Sequence, residues 1–498
     1  MRNKLLALNT ITSLLFQITT IICGFIVPRL ILSHYGSEVN GLVNSITQYL
    51  GIIAFLEFGV GAVVQSSLYK PLADNDENGI SKIVVSAGKF FKKLAIILLL
   101  YIGILIVFYP MLVKSHFSWM YTAGLLVAIS ISSFAQYYFG MVDRLLLTAA
   151  QRGYVQYTAQ IITLVVNTIA CVVLIEMDAS IHLVKLTTSI IFLARPIYLR
   201  WYTNRIFRLD RNIVYDGEPI KQKWNGAAQH FAAVLLDGTA MIILTTFSTL
   251  VNVSIYSVYW LVILGVKQLC LSLTSGIQAV LGELWAKQAL KDLNRTFGWV
   301  EWSLHTSAVF MFGCTAVLVA SFVSIYTNGI NDANYCQPVF GVTIALAHMG
   351  HCLRLPYNMM ILAAGHYKET QHNYVIAAVV NLFVSCLLVS QYGIIGVAAG
   401  AACALYYQTV WMALYVSKHL IQWPIRSFTK QICVDGFTLM FAGVISFFVD
   451  TKTTSYIGWI IVAFKIATIW IVTIIIINIL FYKENMKKIL SIVKRKLF

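Results

Sequence analysis

Charge is what this 498-residue sequence has least of: Asp, Glu, Lys and Arg make up 11% of it, against about 25% in an ordinary soluble domain. So few charges cannot coat the two or more cores that such a length would need in water, which excludes a soluble enzyme. No CxxC pair, HExxH or P-loop lysine motif occurs, and no strand-and-turn context supports a nucleophile elbow, so nothing points to catalysis. A disulfide framework is equally unsupported: of 9 cysteines only Cys336 sits near a loop, and the others read as small apolar residues.

What is present is apolar: 59% of residues are hydrophobic and the mean hydropathy is +0.77. A helix needs about 20 apolar residues to cross a bilayer. About fourteen such stretches are expected, over 8–33, 42–69, 90–113, 119–146, 156–176, 183–203, 227–250, 254–284, 299–326, 337–364, 372–392, 396–417, 430–450 and 456–482. The fold class is therefore all-α and polytopic. The opening Met1-Arg2-Asn3-Lys4 has the charge of a signal peptide without a small-residue cleavage site, and reads as the start of a retained first helix.

The formal net charge of +16 sets orientation, because Lys and Arg gather on the cytoplasmic side of bacterial membranes. Alternate breaks carry Lys82, Lys89, Lys92 and Lys93; Arg205, Arg208, Arg211, Lys221 and Lys223; Lys287, Lys291 and Arg295; and Lys418, Arg426 and Lys430. The intervening breaks contain only Lys114 and Lys452. Both termini are expected in the cytoplasm, in a bacterial inner membrane. Residues 483–498 read as a basic amphipathic tail lying on anionic lipid.

The chain also matches itself. Leu147-Thr148-Ala149-Ala150-Gln151 leading to Val165-Val166-Asn167 matches Leu362-Ala363-Ala364-Gly365 leading to Val379-Val380-Asn381, with Ala149 and Ala363, and Asn167 and Asn381, at an offset of 214. The same offset pairs Val39-Asn40-Gly41-Leu42 with Val253-Ser254-Ile255-Tyr256. It carries span one onto span seven and span six onto span twelve, predicting two six-helix lobes of like orientation. The expected organisation is a lobe over 1–203, a basic cytoplasmic linker over 204–226, a second lobe over 227–417 and two additional helices over 418–482. A cavity between the lobes, worked by alternating access, is the corresponding expectation.

Pro28-Arg29-Leu30, Tyr35-Gly36-Ser37-Glu38-Val39-Asn40-Gly41-Leu42 and Leu56-Glu57-Phe58-Gly59 resemble the first helix hairpin of Wzx-type polysaccharide flippases. These belong to the multidrug, oligosaccharidyl-lipid and polysaccharide exporter (MOP) superfamily. The resemblance implies translocation of an undecaprenyl-diphosphate-linked oligosaccharide, such as an O-antigen or capsule repeat unit, with polysaccharide polymerase machinery as a partner. Fourteen helices fit the flippase branches better than the multidrug branch, which usually has twelve. An ion-coupled multidrug antiporter and a membrane-embedded polymerase or glycosyltransferase are the alternatives.

A charge at mid-bilayer costs at least about 2.5–3.5 kcal/mol, so deep charges are functional candidates. Arg354, Lys267, Lys465, Glu57 and Asp237 are placed deepest. Arg29, Arg144, Arg195, Lys185, Glu283 and Asp435 lie nearer span ends and can snorkel. A diphosphate needs cations, and Arg354, Lys267, Arg29 and Arg195 are the candidates to bind it. Asp237 and Lys267 fall at one depth on neighbouring spans, so an ion pair between them is an open alternative, as is pairing of Arg354 with a carboxylate. Asp237, Glu57, His351 and His348 are candidates to carry a coupling ion, H+ or Na+. No metal site is expected, because His348 and His351 lack a Cys or carboxylate neighbour. Tyr137-Tyr138 and Tyr406-Tyr407 are read as helix packing, with stacking on sugar as the alternative.

Overall fold

Hydrocarbon offers no hydrogen bonds, so a chain crossing it satisfies its amides within each segment, as a helix. The computed structural model describes residues 2–57, 60–113, 116–215, 217, 219–220, 227–274, 276–421 and 423–488. These form α1 (Arg2–Gly51), α2 (Val60–Asp74), α3 (Glu77–Leu112), α4 (Trp119–Ala135), α5 (Met141–Ala149), α6 (Gly153–Glu176), α7 (Ile181–Ile206) and α8 (Ala227–Phe247). They continue with α9 (Leu250–Ser272), α10 (Ile277–Ala286), α11 (Leu290–Tyr326), α12 (Pro338–Leu353), α13 (Leu355–Ala363), α14 (Tyr367–His419), α15 (Ile425–Phe447) and α16 (Tyr456–Phe481). A 3-10 turn, Ile52–Glu57, follows α1, a π-turn, Gln136–Gly140, joins α4 to α5, and no strand occurs among the described residues.

Nine stretches among the described residues are long and apolar enough to cross a membrane. Two of them hold more than one expected span: α1 and α14 reverse at Gly36 and Gly393, where φ is +83° and +52°. Such angles are open to glycine and strained for other residues. Apolar side chains cover the outside, among them Leu100, Phe108 and Met111 on α3 and Ile457, Phe464 and Leu480 on α16. A surface that apolar belongs in lipid, and the protein is a multi-pass membrane protein.

Element boundaries recur at the spacing of 214: α5 ends at Ala149 and α13 at Ala363, α6 starts at Gly153 and α14 at Tyr367, and α3 ends at Leu112 and α11 at Tyr326. The turns between them recur too, with positive φ at Gln151 and Gly365.

The chain forms two compact units, Met1–Ser254 and Ile255–Phe498. In the first, Leu42, Ile46, Phe91, Leu98, Tyr109 and Leu126 build the core. The division falls after α8, beyond the basic linker, because hydroxyl side chains tie α8 to α1: Ser45 pairs with Thr245 at 2.6 Å and Tyr49 with Thr246 at 3.0 Å. Tyr109 on α3 donates to Ser45 Oγ at 2.7 Å, extending the tie. The approach is close enough that a Cβ on Gly41 would stand 1.9 Å from the Leu250 carbonyl oxygen.

In the second unit α11 is packed by α12, α15 and α16. Gly313 admits the buried Trp470 ring, which a Cβ there would meet at 2.0 Å. Trp470 donates to Ser446 Oγ at 3.1 Å and Trp302 to Asn478 Oδ1 at 2.6 Å, so the indoles of this seam are satisfied as well as buried.

Candidate functional site

Among the described residues, each unit holds a cluster of basic side chains turned inward. In the second, the helix that would run on from α12 breaks at Arg354, because Pro356 in the first turn of α13 has no amide to continue the ladder. The break turns Arg354 inward, 8% exposed. Its Nη1 donates to Gln408 Oε1 on α14, its Nη2 lies 3.1 Å from His351 Nδ1, and its guanidinium stands 5.7 Å from the Tyr374 ring. Lys267 on α9 is 5% exposed, with Nζ 5.9 Å from the Trp260 ring, and that ring packs on His348 at 4.7 Å.

Arg354, Lys267 and His348 are the ionisable groups that act on His351, and no described carboxylate is among them. Polar capacity is left over: Gln408 Nε2 and Arg354 Nε are buried without a hydrogen-bond partner within the protein. Like charges held in low dielectric repel, and an arriving anion relieves that repulsion.

The first unit's site is a cavity of about 110 Å³ lined by Ser133, Gln136, Arg144, Gln156, Gln160 and Arg195. The π-turn at Gln136–Gly140 forms one wall, and such turns insert a residue and re-aim side chains. Arg195 on α7 donates from Nε to Thr163 Oγ1 at 2.5 Å, and its guanidinium lies 3.8 Å over the Phe192 ring. The Gln160 Oε1 is buried without a partner. Gly140 lets the turn close on α7: a Cβ there would stand 2.9 Å from Pro196 Cβ.

The two sites correspond under the repeat. Gly140 and Arg354 are 214 apart, as are Arg195 and Thr409, the neighbour of Gln408. Both pairs sit at the helix interruption and at the helix facing it. The guanidinium comes from the facing helix in the first unit and from the interruption in the second.

The sequence candidates fall out unevenly. Lys267, His348, His351 and Arg354 meet in one cluster, and Arg195 is joined by Arg144. Arg29 is partly buried on α1 and does not line the first cavity. Glu57 ends the 3-10 turn near Tyr137, on which both it and Arg144 act. Asp237 lies on α8, but its side chain is outside the described residues, as is therefore the expected pair with Lys267. Arg354 is held by an amide and an imidazole rather than by a carboxylate. Lys465, placed deep along its span, is exposed on α16 beside Phe464; composition gives depth along a helix but not which side faces in. Tyr137 is buried and Tyr406 donates to the Leu346 carbonyl at 3.0 Å, as helix packing requires.

No protein family and no curated protein matches the sequence. Solved structures do match. "Lipid II flippase MurJ, inward closed conformation" aligns with a TM-score of 0.70 at 12% identity, over 96% of this chain and 100% of that one. A multidrug resistance MATE family transporter of the MOP superfamily, inward-facing, aligns at 0.66 and 13% identity, over 80% and 94%. A MATE structure in the bent conformation aligns at 0.56 and 14%, over 82% and 95%. The chain has the polytopic fold of the MOP-superfamily transporters.

Proposed function

We infer that the protein is a flippase that moves an undecaprenyl-diphosphate-linked oligosaccharide repeat unit across the bacterial inner membrane, as a Wzx-type transporter without covalent chemistry. The observation that carries this reading is the second unit's buried basic site, where Arg354, Lys267 and His348 gather around His351. A diphosphate is an anion that such a group of cations suits. Arg354 would exchange its bond with Gln408 for a two-pronged bond to a phosphate, and Lys267 would add a compact charge beside it. Arg195 and Arg144 offer a corresponding anion site in the first unit.

The lipid part of such a substrate also finds a suitable surface. A cavity of about 890 Å³ in the second unit is lined by Val317, Leu346, Leu439, Phe447 and Trp470 among others, and two of its walls are α15 and α16, the helices outside the repeat. Its apolar lining suits part of an isoprenoid chain.

An ion-coupled multidrug antiporter is the second reading, favoured by the likeness to MATE structures. Cationic drugs call for acidic pockets, and the basic sites weigh against it. The deciding experiment introduces the gene into a flippase-deficient strain carrying a panel of repeat-unit pathways, and measures surface polysaccharide and drug susceptibility together. Restored polysaccharide supports the flippase; raised drug resistance without polysaccharide establishes the antiporter.

A further inference from the structure

One buried group of titratable side chains lies outside both basic sites. Glu301 and His305 sit one turn apart on α11, Tyr357 on α13, Gln431 and Asp435 one turn apart on α15, and Trp423 just before α15. Glu301, His305, Gln431 and Asp435 are each at most 5% exposed. Trp423 Nε1 donates to Glu301 Oε2 at 3.0 Å and Tyr357 donates to Glu301 Oε1 at 2.6 Å. His305 Nε2 is 3.4 Å from the Tyr357 hydroxyl and its Nδ1 is 2.7 Å from Asp435 Oδ2, while Gln431 donates to Asp435 Oδ1 at 2.9 Å. The result is an unbroken chain, carboxyl to phenol to imidazole to carboxyl.

Two carboxyls and one imidazole share this hydrogen-bonded chain, so at most one positive charge faces two negative ones. With both carboxyls ionised the chain is net negative even when His305 is an imidazolium. Burial opposes that charge, and an added proton reduces it.

A cavity borders Glu301. Glu301 and Gln431 form part of the wall of a cavity of about 370 Å³ whose other lining includes Arg295, Lys430 and Lys488. Lys430 donates to the Phe481 carbonyl at 2.7 Å and Lys488 lies 5.5 Å from the Trp299 ring. Beyond these cations, the ionisable groups facing the chain are Tyr482 after α16 and Tyr406 on α14; α12 presents the Leu353 backbone.

We propose that Glu301, Tyr357, His305 and Asp435 form a proton-binding site that takes one proton from the cavity beside Glu301 and serves as the coupling site of the transporter. The proton adds to the Glu301 carboxylate, no covalent bond breaks, and the chain loses one negative charge. Exchange along Tyr357 and His305 lets Asp435 share it. This places coupling where α11, α13 and α15 meet. The coupling role rests on the transport reading; the proton site does not.

The test uses purified full-length protein in lipid, with infrared difference spectra taken between about pH 5 and about pH 9. The expected result is a protonated-carboxyl carbonyl band that disappears as pH rises, with the amplitude of one proton. Glu301→Gln should remove or halve it, and Asp435→Asn should do the same. Tyr357→Phe retains every charge and nearly all the volume, and should displace the midpoint by on the order of one pH unit. It keeps the test decisive where a carboxyl variant fails to fold. Absence of the band, or a band and midpoint unchanged in all three variants, would overturn the site. A midpoint that moves with sodium concentration would overturn its assignment to protons. The spectra involve no transport, so a site that titrates in a protein that restores no polysaccharide would leave the site standing and remove the flippase reading alone.

Discussion

Asn40 donates from Nδ2 to Ser254 Oγ at 2.7 Å, and the two residues are 214 apart, the spacing of the repeat. A side chain on α1 is thus bonded to its own equivalent on α9, within the first compact unit. Both residues are buried, so neither can trade the bond for water. Asn40→Ala should cost about 1–2 kcal/mol. The neighbouring Gly41→Ala should cost more, because its added Cβ meets backbone that cannot rotate away. Thermal unfolding of detergent-solubilised protein checks both, and an unchanged Gly41→Ala melting temperature would refute the close contact.

Arg354→Lys keeps a charge but loses the fork, so it should retain part of polysaccharide export, whereas Arg354→Ala should abolish it with protein levels near normal. Gln408→Glu should also depress export, since a carboxylate in place of the amide competes with phosphate for the guanidinium. Surface polysaccharide and membrane abundance are measured together. Normal export by a well-expressed Arg354→Ala strain would refute the assignment.

Asp143, 1% exposed, accepts from Arg211 Nη2 at 2.7 Å and from Thr203 Oγ1 at 2.7 Å. The linker arginine thus neutralises a carboxylate inside the first unit. Arg211→Ala should destabilise by about 2 kcal/mol, and adding Asp143→Asn should recover much of the loss, because the carboxylate rather than the missing arginine carries most of the penalty. A double-mutant cycle of melting temperatures is the measurement; no recovery would show that the unpaired carboxylate is not the source of the loss.

Topology is tested by cysteine labelling in a cysteine-free background. Ser33→Cys and Lys452→Cys should react with a membrane-impermeant reagent from outside, and Asn212→Cys only after lysis. Ser33 is preferred to Gly36, whose φ of +83° makes any side chain there strained. External labelling of Asn212→Cys would invert the orientation.

The helices were legible because lipid leaves one backbone solution for an apolar run, and the repeat because Val39–Leu42 and Leu147–Ala150 keep their register. The Arg354 cluster was half legible: three residues at helical spacing, 348, 351 and 354, mark one face, but Gln408 comes from another helix. Glu301, His305 and Asp435 were missed as a group, since Glu301 and His305 lie at the end of one span and Asp435 at the end of another, and only packing of α11 on α15 unites them. The signal that would have found them is the pair of polar i, i+4 steps, Glu301 to His305 and Gln431 to Asp435, on otherwise apolar helices.

The placement of Arg195 and Arg354 has a consequence for mutagenesis. Positions 140 and 354, and 195 and 409, are equivalent at the spacing of 214, yet they hold Gly and Arg, and Arg and Thr. A scan that copies a substitution from one unit onto the numbered equivalent in the other would strike Gly140 or Thr409 and leave the guanidinium untouched.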